Sequence, residues 1–268
     1  MLLRSLLVVV SGFIFIFSPG LPMNLISRYS PDYKRDLVYW GIGGWLVATV
    51  IALFTNNLIR IIVFDSENPA GYTGQPIDYI FIFAGSFISA LFLGIVMLLI
   101  LKFKHRKNPE HDVLANGLAL GFGAGLVAQV FTGITLVGAG FQVMFGNTSS
   151  NITVEAIANS NLGLLIANIL TLILFRIALL AVSAVQGILT AKSMQEKKGR
   201  FWLGVLVAAL FTSIILIVQL LMGQSIPGQV SVGFTSTPIS IVTGIYYLLA
   251  FIAAYYWLVK NLQIQKKK

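Results

Sequence analysis

Residues 162–191 read LGLLIANILTLILFRIALLAVSAVQGILTA, and this stretch decides the class of fold. Its only charged side chain is Arg176. A helix needs about 20 residues to cross a hydrocarbon core of roughly 30 Å, and this run is longer than that. The stretch therefore predicts a transmembrane helix.

The composition of the whole chain indicates the same class of protein. Of its 268 residues, 57% are hydrophobic and 10% are charged. A soluble domain carries roughly 25% charged residues. The chain has no cysteine, which excludes disulfides, thiolate metal sites and cysteine nucleophiles. We expect an all-α, multi-pass transmembrane helix bundle that forms a single domain over residues 1–268.

Apolar segments long enough to span a bilayer occur seven times along the sequence. They lie near Leu6–Ile26, Leu37–Phe64, Tyr79–Leu101, Val113–Phe145, Leu162–Ala191, Phe201–Met222 and Ile239–Val259. The first segment resembles a signal peptide, but the residues after it offer no small-x-small cleavage site. We expect it to be retained as a span.

The positions of the basic residues predict an orientation in the membrane. The net charge is +9, and almost all Lys and Arg residues fall in the first, third and fifth loops and in the C-terminal tail. The even-numbered loops contain neither residue. Because cytoplasmic loops are enriched in Lys and Arg, we expect the N-terminus outside and the C-terminus in the cytoplasm. The expected location is the plasma membrane, of the prokaryotic inner-membrane or cell-membrane type.

The same basic runs indicate the kind of partner. Short cationic loops beside apolar spans interact with anionic lipids on the cytoplasmic face, and their distribution argues against nucleic acid. Other membrane protein subunits are a further expected class of partner.

Ionisable residues other than arginine are missing from the predicted spans. The nine Asp and Glu residues lie in loops or at segment ends, and both histidines, His105 and His111, lie in one predicted cytoplasmic loop. No intramembrane group is therefore expected to hold a metal or a haem or to relay protons. We expect no cofactor, no metal and no enzymatic activity.

The fifth segment carries one polar face. On a helical wheel of 100° per residue, six polar side chains fall within about 80° of one another. They are Asn161, Asn168, Arg176, Ser183, Gln186 and Thr190. An arginine in the middle of a bilayer costs at least ~2.5 kcal/mol when it faces lipid, so this face should point inward. It predicts a groove for an anionic ligand or a partner, or alternatively a polar seam that only packs helices.

The fourth segment carries a row of glycines. Gly117, Gly121 and Gly125 recur at four-residue spacing, and Gly133 continues the row. Small residues at this spacing let another helix backbone approach closely. We interpret the row as a helix-packing ridge, with a gate or hinge as the alternative.

Three pieces of the chain resemble the YhfC-type and PrsW-type intramembrane protease family. This group includes the CAAX-processing proteases and the anterior-pharynx-defective subunit of γ-secretase. The similar pieces are Gly117–Gly125, Ile173–Leu179 and Leu203–Phe211. The resemblance implies a shared helical scaffold.

The catalytic residues that the resemblance would imply are absent. A Glu-Glu pair is replaced by the region Phe87-Ile88-Ser89, and the His or Glu of the glycine-rich helix by Leu120 and Ala124. Arg176 stands where the family has His, and the region Leu210–Thr212 also lacks one. The resemblance therefore implies a pseudoenzyme.

The sequence leaves three functions open. The first is a non-catalytic scaffold or assembly subunit that binds a membrane partner or a lipid. The second is a transporter or channel-like protein for an anionic solute. The third is an intramembrane protease-like protein, which depends on the family resemblance alone.

Overall fold

The computed structural model describes residues 2–17, 35–64, 75–107, 112–147, 152–195, 199–222 and 237–266. Within these ranges the regular structure is entirely helical. The helices are α1 (Leu2–Phe17), α2 (Arg35–Phe64), α3 (Pro76–Lys107), α4 (Val113–Met144), α5 (Ile152–Asn159), α6 (Leu162–Gln195), α7 (Gly199–Leu221) and α8 (Thr237–Lys266).

Six of these helices, α2, α3, α4, α6, α7 and α8, are long and apolar enough to cross a membrane. They correspond to the last six predicted segments, and α6 runs four residues beyond the predicted end at Ala191. The predicted multi-pass helical class is thereby confirmed. Helix α1 has 16 residues, a length of about 24 Å, which is short of the roughly 30 Å of a hydrocarbon core. The prediction of seven spans is not confirmed, because the second half of the segment Leu6–Ile26 lies outside the described residues.

Helices α4 and α6 form the central pair of the bundle. A Cβ atom at Gly117 would lie 2.5 Å from the carbonyl oxygen of Gly187, and one at Gly121 would overlap the carbonyl oxygen of Ser183. Only glycine lets the two backbones come this close. The first half of the glycine row thus lies against α6.

The rest of the row contacts two helices. Gly125 packs against Leu180 of α6, whereas Gly133 packs against α1, where a Cβ would lie 2.7 Å from the carbonyl oxygen of Gly12. The row therefore joins α4 to α6 along one part of its length and to α1 along the next.

The remaining helices surround this pair. Helix α2 packs on α4 and on α3, α3 packs on α7, and α7 packs on α6. These contacts close a ring of five helices, α2–α3–α7–α6–α4, while α1 lies outside the ring against α4 and α8 lies outside it against α6.

The outer helices present large apolar side chains on the surface. Phe54 of α2 is 71% exposed, and Ile80 of α3 and Tyr256 of α8 are also exposed. In α4, by contrast, 61% of the residues in the membrane-length window are buried. An apolar outer surface on a helix bundle that contains few charged residues is compatible with a lipid environment.

Candidate ligand-binding cavity

The ring of five helices encloses a cavity of about 460 Å³. Its walls come from α2 between Trp45 and Ile59, from α3 between Phe81 and Leu93, and from α7 between Ala208 and Leu216. Helix α6 contributes Leu179, Val182, Ser183 and Gln186, and α4 contributes Ala124. The volume falls in the range of about 300–1,000 Å³ that is usual for small-molecule sites.

One end of the cavity is closed by contacts among α3, α6 and α7. The side chain of Gln186 donates a hydrogen bond from Nε2 to the carbonyl oxygen of Ala90, at 2.8 Å. Next to it, a Cβ atom at Gly94 would lie 3.2 Å from Phe201 and 3.3 Å from Val205. From this floor the cavity extends toward the end of the bundle where α2 ends and α3 begins.

The walls of the cavity are mostly apolar, and none of the described residues that line it is charged. Within the part of the chain that the structure describes, six lining side chains with polar atoms make no hydrogen bond: Trp45, Thr49, Asn56, Asn57, Ser86 and Ser183. Two others, Ser89 and Thr212, donate to carbonyl oxygens of their own helices. The cavity therefore offers neutral hydrogen-bonding groups on an apolar wall.

Two of the six residues of the predicted groove line this cavity. Ser183 and Gln186 are both buried and both face it. Thr190, further along α6, is completely buried, and its Oγ1 has no partner among the described residues. These three lie in the half of α6 that follows Arg176.

The other half of the predicted groove lies elsewhere. Asn161 is exposed at the start of α6, where its side chain accepts a hydrogen bond from the backbone N–H of Leu164 at 2.7 Å. Asn168 is buried against α8 and accepts a hydrogen bond from the hydroxyl of Ser240 at 3.0 Å. The structure thus brings Ser183 and Gln186 to the cavity but places Asn161 and Asn168 outside it.

Arg176 lies between these two groups. Its guanidinium carbon is 4.7 Å from the ring centroid of the neighbouring Phe175. Its Nε atom is buried, and the side chain makes no hydrogen bond to any residue that the structure describes. Arg176 is not a lining residue of the cavity described above.

Helices α2 and α3 contribute site residues that sequence reasoning did not assign. Asn56 lies opposite Gly85, where a Cβ atom would be 3.7 Å from its amide nitrogen. The adjacent amides of Asn56 and Asn57 were the sequence feature that could have indicated this part of the site, since two neighbouring amides are unusual in an apolar span. Helix α2 continues through both residues without a break.

The described lining residues offer binding groups, and none of these residues carries a carboxylate, an imidazole or an amine. Among the described residues, no group of three His, Cys, Asp or Glu side chains is placed to hold a metal ion. The chemistry available in the cavity is therefore packing and neutral hydrogen bonding.

Comparison with known proteins identifies no relative: no protein-family model matches the chain, and neither a curated protein nor a solved structure matches it. The resemblance to intramembrane proteases remains a prediction from the three sequence pieces. Fold and cavity together define a multi-pass α-helical membrane protein with a site of ligand size between its helices.

Proposed function

We propose that the protein is a non-catalytic, multi-pass protein of the plasma membrane that binds a membrane lipid inside its helix bundle. In this role it acts as a scaffold or an assembly subunit. The observation that carries the proposal is the cavity between α2, α3, α6 and α7, which is apolar, uncharged and lined by unpaired neutral polar groups.

The physical basis of such binding differs from that of a soluble pocket. An acyl chain gains little hydrophobic free energy when it moves from the bilayer into the cavity, because both surroundings are apolar. Affinity must come from close packing and from hydrogen bonds. Asn56, Ser86 and Ser183 can supply hydrogen bonds to ester or hydroxyl groups, and unpaired polar groups in an apolar cavity carry a cost that such a ligand removes.

The uncharged walls favour this function over the two alternatives. Transport of an anionic solute would require positive charge at successive points along its path, whereas the described lining residues include no basic residue and Arg176 supplies a single charge outside the lining. A protease-like function would require a carboxylate or a histidine at the cavity, and the lining residues include neither.

The basic end of the bundle supports the proposed orientation, with the C-terminus in the cytoplasm. Lys104 pairs with Asp36 at 2.9 Å, and Lys192 donates to Asn261 Oδ1 at 2.7 Å. Lys192 also lies 5.8 Å from the ring centroid of Trp257, a residue type that favours the membrane interface. These side chains define a cationic rim that suits anionic headgroups of the cytoplasmic leaflet.

Two matched glycine substitutions test lipid binding. Gly85 lines the cavity, and a Cβ atom there makes only ordinary contacts with Asn56 at 3.7–3.8 Å, so the side chain of Gly85→Leu would project into the cavity and occupy part of its volume. Gly43 of α2 is exposed and has no atom within 4 Å of an added Cβ, so Gly43→Leu is the control. Both changes have similar effects on helix propensity.

The measurement is native mass spectrometry of protein purified in mild detergent. We expect lipid adducts on the wild type and on Gly43→Leu, and their loss from a correctly folded Gly85→Leu. Equal lipid retention by all three proteins would refute the cavity as the binding site.

A further inference from the structure

Arg176 is a charged residue deep in the apolar part of the bundle. It lies 14 residues after Leu162 and 19 before Gln195, so about 21 Å and 28 Å of helix separate it from the two ends of α6. A guanidinium remains protonated and carries five hydrogen-bond donors. Arg176 uses none of them within the described part of the chain, although its Nε is completely shielded from solvent.

The described chain supplies no counter-charge for this residue. Its acidic side chains all lie at the beginnings of helices: Asp36, Asp78, Asp112 and Glu155. The nearest described stabilising contact is the face of the Phe175 ring. A cation–π contact leaves the N–H donors unpaired, and a charge in an apolar region without hydrogen bonds is strongly unfavourable.

An aromatic cluster fixes the position of Arg176. Phe175 stacks on Phe211 with ring centroids 6.1 Å apart, and it also contacts Tyr247 at 4.9 Å. The Tyr246 hydroxyl donates a hydrogen bond to the carbonyl oxygen of Phe211 at 3.0 Å. The aromatic ring beneath the guanidinium is therefore held by contacts to α7 and α8.

The same cluster places Arg176 next to the cavity. Phe211 is a lining residue, and so is Leu179, which lies less than one helical turn after Arg176. Ser183, seven residues after Arg176, lies on the same face of α6 and also lines the cavity. The guanidinium thus lies beside the wall of a site whose own lining is uncharged.

We infer that Arg176 binds an anionic oxygen, a phosphodiester or a carboxylate, of the amphiphile whose apolar part occupies the cavity. This inference rests on the proposed function and specifies its ligand class. The planar guanidinium fork matches either oxyanion in a bidentate arrangement. Such a contact would satisfy the donors and neutralise the charge, while the acyl chain packs against the apolar walls.

The test uses the full chain reconstituted in phosphatidylcholine nanodiscs that contain increasing amounts of phosphatidylglycerol. Bound lipid is counted by native mass spectrometry after release from the discs. The variants are Arg176→Gln, which removes the charge, and Arg176→Lys, which keeps the charge but removes the fork. Arg4→Gln is the control, because Arg4 lies in α1, outside the basic loops, where it donates to the carbonyl oxygen of Ala158 at 2.9 Å.

We expect wild type and Arg4→Gln to retain phosphatidylglycerol in preference to phosphatidylcholine. Arg176→Gln should lose this preference, and Arg176→Lys should weaken it by about tenfold or more, since a point charge does not replace the bidentate fork. An unchanged preference in folded Arg176→Lys, or in folded Arg176→Gln, would overturn the inference.

A control with inorganic phosphate distinguishes a lipid headgroup from a soluble anion as the source of the oxyanion. We expect phosphate added to protein in neutral detergent to give no thermal stabilisation that depends on Arg176, whereas phosphatidylglycerol does. Stabilisation by phosphate alone to the same extent would show a soluble anion and contradict the amphiphile. The Gly85→Leu variant distinguishes this failure from failure of the proposed function, because it obstructs the cavity while Arg176 remains.

Discussion

Gln186 of α6 and Ala90 of α3 are joined by a hydrogen bond of 2.8 Å from Nε2 to the carbonyl oxygen, although 96 positions separate them in the chain. Both residues line the cavity, at the end where α3, α6 and α7 are in contact. Because Gln186 is 1% exposed, lipid and water cannot replace this bond without opening the contact between the helices.

Replacement of Gln186 should therefore destabilise the bundle. We expect Gln186→Leu to lower the free energy of unfolding by about 0.6–1.7 kcal/mol, which spans the average and the maximum contribution of a hydrogen bond between membrane helices. The readout is the midpoint of thermal unfolding in mild detergent. Gln195→Leu is the matched control, because Gln195 is exposed at the end of the same helix, and it should leave the midpoint unchanged. Equal effects of both changes would contradict the structural role of Gln186.

The close contact between α4 and α6 predicts that alanine substitutions at two glycines of α4 have different effects on stability. A Cβ atom at Gly121 would overlap the carbonyl oxygen of Ser183, so Gly121→Ala must separate the helices and should cost about 1–3 kcal/mol. Gly138 is exposed with no atom within 4 Å of an added Cβ, and Gly138→Ala should be neutral or should stabilise by up to about 1 kcal/mol. The same thermal midpoint measures both, and a tolerated Gly121→Ala would argue against the close packing.

The proposed orientation predicts the side of the membrane on which the chain ends. A reporter that is active only outside the cytoplasmic membrane should be silent when it is fused after Lys268. A cytoplasmic reporter at the same point should be active. The opposite pair of results would reverse the orientation inferred from the basic loops.

Much of the fold was predictable from sequence because lipid imposes simple rules. The helix that begins at Leu162 was predicted with the correct first residue, and α4 with the correct start at Val113. Long apolar runs form helices in a bilayer since each backbone group must find its partner within the same segment. The first predicted span, Leu6–Ile26, is not confirmed, because the described helix there is Leu2–Phe17 and residues 18–26 lie outside the described part of the chain.

The candidate site was less predictable for a geometric reason. A helical wheel treats one face of α6 as a single surface, but the 34 residues of this helix extend over about 51 Å. Along that length the face meets different neighbours: Asn168 contacts α8, whereas Gln186 contacts α3. The periodicity of one helix does not specify which helices adjoin it, so the contribution of Asn56 and Ser86 could not be read from the sequence.

Photolabelling from inside the cavity tests the central claim most directly. A lipid with a photoreactive group in its acyl chain labels the side chains that it touches, and mass spectrometry locates the modified residues. Leu170 and Ile177 are exposed on α6 and should be labelled by bulk lipid. Ser183 and Gln186 are buried on the same helix, so only a lipid within the cavity can reach them. We predict labels at Ser183 or Gln186 that disappear in Gly85→Leu while those at Leu170 and Ile177 remain. Labels confined to Leu170 and Ile177 in the wild type would contradict lipid binding in the cavity.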